Sequence, residues 1–148
     1  MPYEYNAKLV RVIDGDSIVV SIDLGFGVWF NNQSIRMYGV DAPESRTRDE
    51  VEKVYGLLAK QYLIDRCPES FVIRTHADGK GKYGRILGEV ICYVPEFDRE
   101  MSINDAMIKQ HLVAPYYGQS KEDIKEIHLA NRKILMEAGK VGVSPDYR

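Results

Sequence analysis

Three short segments hold residues whose types and spacing suit one chemistry. They are Asp14-Gly15-Asp16, the run Arg36-Met37-Tyr38-Gly39-Val40-Asp41-Ala42-Pro43-Glu44, and Lys80-Gly81-Lys82-Tyr83-Gly84-Arg85. Each has an ordinary structural explanation on its own. Asp-Gly-Asp is a good hairpin turn in which Gly15 tolerates a positive φ, the second run suits a surface loop after a strand end, and the third suits a basic hairpin loop. Taken together they supply three aspartates, a glutamate and two arginines. Phosphodiester hydrolysis needs a hard divalent cation on oxygen ligands, a carboxylate to orient or deprotonate water, and cationic clamps for charge developing on phosphate oxygens. Arginine suits the clamp better than lysine, because its planar fork donates two hydrogen bonds to one phosphate and keeps its charge.

The elements that must position these residues are legible from periodicity. β-branched, alternating runs predict strands at Lys8 to Ile13, Ser17 to Leu24 and Gln33 to Tyr38. From Asp49 the spacing becomes helical through Val51, Val54/Tyr55, Leu58/Ala59 and Tyr62/Leu63, with Thr47 and Glu50 as the expected capping box and Cys67-Pro68 as the stop. Two further strands are expected at Ser70 to Thr75 and Ile86 to Val94. A short helix follows from Ser102 and Asp105 to about Leu112, and a last one from about Ser120 to Gly139 with Ile124, Ile127, Ile134, Leu135 and Ala138 inward. The order βββαββαα predicts an α+β fold, mainly β, built as a five-stranded barrel of the oligonucleotide-binding type with three helices. On such a barrel the turn after the first strand, the end of the third and the loop between the fourth and fifth can lie side by side.

A chain of 148 residues with 45% hydrophobic content is the size of one domain with an adequate core. We expect a single domain over residues 1–148, with its core at about 7–140 and a loose tail at 141–148. Cys67 and Cys92 sit in apolar settings without metal or redox spacing and read as buried thiols. The amino terminus does not resemble a secretory signal and no apolar run is long enough to span a bilayer, so the expectation is an intracellular, soluble protein without membrane partners. A net charge of -2 gives no global field for polyanions, which places any such binding on a local cluster. Between Arg74 and Arg85 four positive residues face only Asp78. The segment Gly25 to Asn32 holds the one tryptophan, Trp29; apolar packing in the hairpin is expected over a base-stacking platform. His76, His111 and His128 are dispersed and read as structural.

The segments RVIDGDSIVV, IRMYGVDAPE and GKYGRILGEV resemble, in order, spacing and context, the signature segments of the staphylococcal nuclease (thermonuclease) family, and the likeness extends to about residue 140. The family's five-stranded barrel with three helices agrees with the order read above. The resemblance implies that Asp16 and Asp41 bind one calcium ion, with the backbone carbonyl of Ala42 as a third protein ligand and Asp14 nearby. Glu44 would orient or deprotonate the attacking water. Arg36 and Arg85 would clamp the scissile phosphate, while Lys82, Tyr83 and one of Tyr116 or Tyr117 would hold the neighbouring phosphate and nucleoside. The implied activity is calcium-dependent, sequence-indifferent cleavage of DNA and RNA, single strands preferred, to 3′-phosphate products by a monomer. Ala42 stands where the best-known member has a hydroxyl residue, which a main-chain ligand tolerates, and the slightly acidic net charge predicts weaker polyanion capture. The competing expectations are a catalytically silent barrel of the same fold that binds single strands or protein, and an interaction domain with no nucleic-acid role.

Overall fold

The computed structural model describes the backbone of residues 3–80 and 85–141. Its elements run β1 (Tyr3–Asp14), β2 (Ser17–Asp23), β3 (Trp29–Met37), β4 (Val40–Asp41), α1 (Glu50–Arg66), β5 (Ser70–Lys80), β6 (Ile86–Val94), β7 (Arg99–Ser102), α2 (Ile103–Lys109), β8 (Ala114–Pro115) and α3 (Lys121–Glu137). The five principal strands and three helices are those expected from the sequence. β1, β3 and β5 are longer than expected, and β4, β7 and β8 are additional.

The sheet order is β3-β2-β1-β5-β6-β7, and a parallel pairing of β3 with β6 closes the first five strands into a barrel. Closure removes the two open edges that a five-stranded sheet would otherwise leave. Its interior is filled by Ile18, Val20, Ile35, Met37, Ile73 and Val90, all essentially inaccessible to solvent. These residues alternate with outward ones along their strands as the pleat requires. Cys67 and Cys92 are buried free thiols, pushed up to about 12 and about 11 respectively, chiefly by burial.

Register explains how distant parts of the chain meet. Ser17 on β2 pairs with Arg36 on β3, and Arg36 pairs in turn with Leu87 on β6. Asp16 immediately precedes Ser17, and Arg85, two residues before Leu87, reaches back to the Ser17 hydroxyl, so both come close to Arg36 from the neighbouring strands. The Met37 N–H donates to the Asp16 carbonyl at 2.8 Å, which holds the Asp-Gly-Asp turn against the end of β3. Beyond it, the buried Asn104 of α2 donates to the carbonyls of Tyr38 (2.9 Å) and Gly88 (3.1 Å) and accepts from the Val90 N–H (3.2 Å). One fully satisfied side chain thus braces the exit of β3 against β6.

α1 packs on this end through Tyr55, Gly56, Ala59 and Leu63, the face read from its spacing. Its cap differs from the expected Thr47/Glu50 box. The Asp49 carboxylate accepts from the N–H groups of Val51 and Glu52, at 3.0 and 3.1 Å, while Thr47 accepts from Asp49 N–H. Asp is as good an N-cap as Thr, and this cap starts the helix at Glu50. Ser102 and Ser120 cap α2 and α3 by accepting from Asp105 and Asp123.

The inward face of α3 is another correction. Ile134 and Ala138 are exposed, Ile124 and Ile127 are half-buried, and the buried positions are Leu135, as expected, and Asn131, which donates to the Val113 carbonyl at 3.3 Å. The hairpin segment is also more open than expected. Phe26 is fully exposed, Trp29 and Phe30 are 37% and 40% exposed, and the Lys8 ammonium lies 5.1 Å from the Trp29 ring centre. No helix among the described residues is long and apolar enough to cross a membrane. Val141 is buried, and the remainder of the expected tail, 142–148, lies outside the described residues.

Candidate functional site

The Asp14-Gly15-Asp16 turn does not use the positive φ expected of Gly15; no such angle occurs there. Gly15 is buried, and a Cβ on it would lie 2.6 Å from the Ala59 Cβ and 3.0 Å from the Ala42 Cβ. The glycine is needed for close approach: it lets the turn sink between α1 and the Asp41-Ala42 segment. Both flanking aspartates are thereby carried to the head of the barrel.

Asp16 is the centre of the resulting cluster. Its Oδ2 accepts from the Ala42 N–H at 2.9 Å and lies 3.2 Å from the Arg36 Nη1, while its Oδ1 accepts from the Ser17 hydroxyl at 3.3 Å. Arg36 extends its other nitrogen to Asp41 Oδ1 at 3.6 Å, so one guanidinium stands between two carboxylates. The side chains of Arg36 and Asp16 are only 18% and 17% exposed, which limits the screening of this pair by solvent. Asp14 accepts from the Ser45 hydroxyl and faces the exposed Arg46 at 3.4 Å. Arg85 reaches the same place from the start of β6, with its Nη1 3.4 Å from the Ser17 hydroxyl.

Glu44 projects from the loop after Pro43 and is exposed. Its loop is fixed at two points: the Glu44 N–H donates to the Glu52 carboxylate at 3.0 Å, and the Glu44 carbonyl rests against Gly56 of α1. Electrostatics mark both central carboxyls. Burial raises the Asp16 carboxyl above the usual range and outweighs the opposing pull of Arg36 and the Ala42 N–H, with Asp41 and Asp14 adding to the rise. Glu44 is raised by burial first, then by repulsion from Asp16, Asp14, Glu52 and Asp41. Perturbed carboxyls and arginines thus converge in one place.

Residues 34–140 match the family model described as staphylococcal nuclease homologue. The chain belongs to that family. Among curated relatives it is similar to an endonuclease, YhcR, of Bacillus subtilis (strain 168), at 26% identity over 137 residues, covering 86% of this chain and 10% of that protein. It is also similar to a thermonuclease of Staphylococcus hyicus, at 33% identity over 88 residues, covering 59% of this chain and 48% of that protein. The chain thus spans about a tenth and about half of the relatives it matches.

In this family member, Asp14, Asp16, Arg36, Asp41, Ala42 and Glu44 come together, and Arg85 joins them through Ser17. Tyr116 and Tyr117 lie beside this group on an exposed loop: β8 pairs with β4 through Val40 and Pro115 and through Asp41 and Ala114, and the Tyr116 N–H donates to the Gly39 carbonyl at 2.8 Å. Lys82 and Tyr83 lie outside the described residues. Among the described residues no three Asp, Glu, His or Cys side chains converge as a metal cluster. A set of two carboxylates and one main-chain carbonyl would not form such a cluster.

One neighbour of the site was missed by sequence reading. His128, from the middle of α3, places its Nε2 2.8 Å from Asp41 Oδ2. It lies three residues before Asn131 on one helix face, but two polar residues there gave no apolar signal to read. His76 is structural by its contacts: its ring stacks on Tyr38 at 3.6 Å between centroids and bonds Glu89 at 2.9 Å.

Proposed function

We propose that this chain is a calcium-dependent, sequence-nonspecific nuclease that hydrolyses phosphodiester bonds of DNA and RNA to 3′-phosphate products, as a single domain acting as a monomer. The observation that carries the reading is the convergence of Asp16, Arg36, Asp41 and Glu44, with Arg85 alongside, at one end of the family's barrel. A calcium ion fits the chemistry of these residues. The donors are all oxygen, the carboxyls of Asp16 and Glu44 are raised first by burial and then by neighbouring carboxylates, and a cation already stands between Asp16 and Asp41 in the form of the Arg36 guanidinium. Asp16, Asp41 and the Ala42 carbonyl would hold the ion, with Asp14 near it. When bound, the ion supplies Lewis-acid stabilisation of charge on a phosphate oxygen.

The chain's own residues do the rest. Glu44 orients the attacking water and accepts its proton, a task suited to a carboxylate whose affinity for protons is raised. Arg36 and Arg85 approach from β3 and β6 and clamp the scissile phosphate, donating to the oxygens on which charge develops. Tyr116 or Tyr117, with Lys82 and Tyr83, binds the neighbouring phosphate and nucleoside. Contacts of this kind go to phosphate, sugar and base faces, so cleavage is indifferent to sequence and favours single strands.

The deciding experiment is release of acid-soluble nucleotides from heat-denatured DNA by purified protein, with calcium, with magnesium and with a chelator. Calcium-dependent release that the chelator abolishes is expected. No release with any metal would favour a silent module that binds nucleic acid or protein.

A second expectation follows from the raised Asp16 carboxyl. A folded-state value above that of the unfolded chain means the folded protein holds the proton more tightly, so stability falls as pH rises from the ordinary aspartate value of 3.8 through the raised folded value. In chelator at pH 7, Asp16→Asn should therefore raise Tm by a few degrees while weakening calcium binding, and its advantage should vanish near pH 4. A Tm below wild type at pH 7 in chelator would show that the Arg36 pair outweighs burial.

A further inference from the structure

We propose that His128 is a positioning residue that fixes the Asp41 carboxylate from α3, so that the docking of this helix sets the calcium affinity of the site. The inference rests on the reading of Asp41 as a calcium ligand.

The contact is well defined. Nε2 of His128 lies 2.8 Å from Asp41 Oδ2, and the His128 side chain is 13% exposed against 31% for Asp41. The other ring nitrogen, Nδ1, is buried and has no hydrogen-bond partner among the described residues. A proton there would be left buried and unpaired, which is costly, so the neutral imidazole carries its proton on Nε2 and donates it to Asp41. The two oxygens of Asp41 are then divided. Oδ2 is taken by His128, and Oδ1 is the one that faces Arg36, at 3.6 Å.

Without His128 the carboxylate would be free to turn about its last bond and to present either oxygen, and a ligand must then be ordered each time a cation binds. Hydrogen bonds to ligating carboxylates remove that cost, and loss of such a partner typically weakens metal binding about 10- to 100-fold.

α3 does not depend on this bond for its place. Asn131 is tied to the Val113 carbonyl, Leu135 is in the core, and the Arg132 carbonyl accepts from the Tyr55 hydroxyl at 3.4 Å. The helix therefore remains docked when the imidazole is replaced, and the effect falls on Asp41.

The test is calcium binding to the full chain by titration calorimetry for wild type, His128→Leu, His128→Asn and His128→Gln, with Tm in chelator as the control for folding. Leu removes the donor, Asn is too short to reach Asp41, and the Gln amide reaches about as far as Nε2. Calcium Kd is expected to rise about tenfold or more in the Leu and Asn variants and to return to within about threefold of wild type in Gln. Chelator Tm should stay within a few degrees throughout. At saturating calcium, kcat of His128→Leu should approach wild type, because the residue acts through affinity. If Leu does not fold, the Asn and Gln pair carries the test. A wild-type Kd in the Leu or Asn variant, or failure of Gln to restore binding, overturns the proposal while the wild-type isotherm still supports calcium at this site. A wild-type protein that binds no calcium overturns both readings.

Discussion

Glu44→Gln is expected to lower kcat by about a thousandfold, with KM and the calcium Kd changed only a few-fold. The amide keeps the shape of the side chain and can still touch a water, but it cannot take a proton. The main-chain anchors of the loop, the Glu44 N–H on Glu52 and the Glu44 carbonyl against Gly56, do not involve the carboxyl and survive the change. A pH dependence accompanies the loss. The Glu44 carboxyl is raised above its ordinary value by burial and by its neighbours Asp16, Asp14, Glu52 and Asp41. Glu44 must be ionised to act as a base, so activity should rise with pH through a value above the usual glutamate range, and that acid limb should be absent in Glu44→Gln. A cation held by Asp16 and Asp41 neutralises part of the repulsion, so the limb should move to lower pH as calcium is raised. Single-turnover rates on a short single-stranded oligonucleotide, measured across pH at two calcium concentrations, check each step. A Glu44→Gln rate within tenfold of wild type would remove Glu44 from the chemistry and leave the arginines and the cation to carry it.

The barrel and its helices were legible because their signals are local. Alternation in IVVSID and ILGEVICYV marks central strands, and the spacing from Val51 to Leu63 marks a helix with one buried face. The residues of the candidate site stood out for a related reason: Asp14-Gly15-Asp16 and the run from Arg36 to Glu44 are compact motifs, and strand register then places Ser17, Arg36 and Leu87 side by side. What escaped depends on contacts between distant positions. β4 and β8 are two residues each and form only because the loop after β3 meets the loop after α2, a pairing with no period to detect. His128 and Asn131 are polar residues turned inward on α3, where each finds an oxygen, so the apolar rule found Leu135 but missed them and added the exposed Ile134 and Ala138. Gly15 was read for its conformational freedom, whereas its role is to leave space for Ala42 and Ala59. Thr47 and Asp49 are both competent caps, and the sequence does not rank them; the Asp49 carboxylate reaches two N–H groups.

Gly56→Ala is the second large effect expected, and it separates the placement of Glu44 from its chemistry. Gly56 lies in the middle of α1, where alanine is the better helix former by about 1 kcal/mol, so helix propensity alone predicts stabilisation. The surroundings reverse the sign. A Cβ on Gly56 would lie 2.3 Å from the Glu44 carbonyl oxygen, 2.5 Å from its carbon and 2.7 Å from the Ser45 nitrogen, and all of these are main-chain atoms that cannot rotate aside. Either α1 withdraws from the barrel or the loop from Pro43 to Ser45 lifts. The helix is held by Tyr55, Ala59 and Leu63 in the core, whereas the loop is held by the Glu44 bond to Glu52 and the Ser45 bond to Asp14, so the loop is the part that yields. Overpacking of this kind costs about 1–3 kcal/mol, which sets the expected loss of stability. The loss of activity should be larger than stability accounts for: a shift of Glu44 by about 1 Å is enough to cost about a hundredfold in rate, and Ser45 would carry Asp14 with it. At a temperature where the variant is fully folded, kcat should fall about a hundredfold while calcium binding weakens far less, because Asp16 and Asp41 are held by Arg36 and by the pairing of β4 with β8, and only the Ala42 carbonyl borders the displaced loop. Combining Gly56→Ala with Glu44→Gln should then add little, since a displaced base and an absent one fail at the same step. Full additivity of the two losses would show that Gly56 acts on the fold at large and not through Glu44.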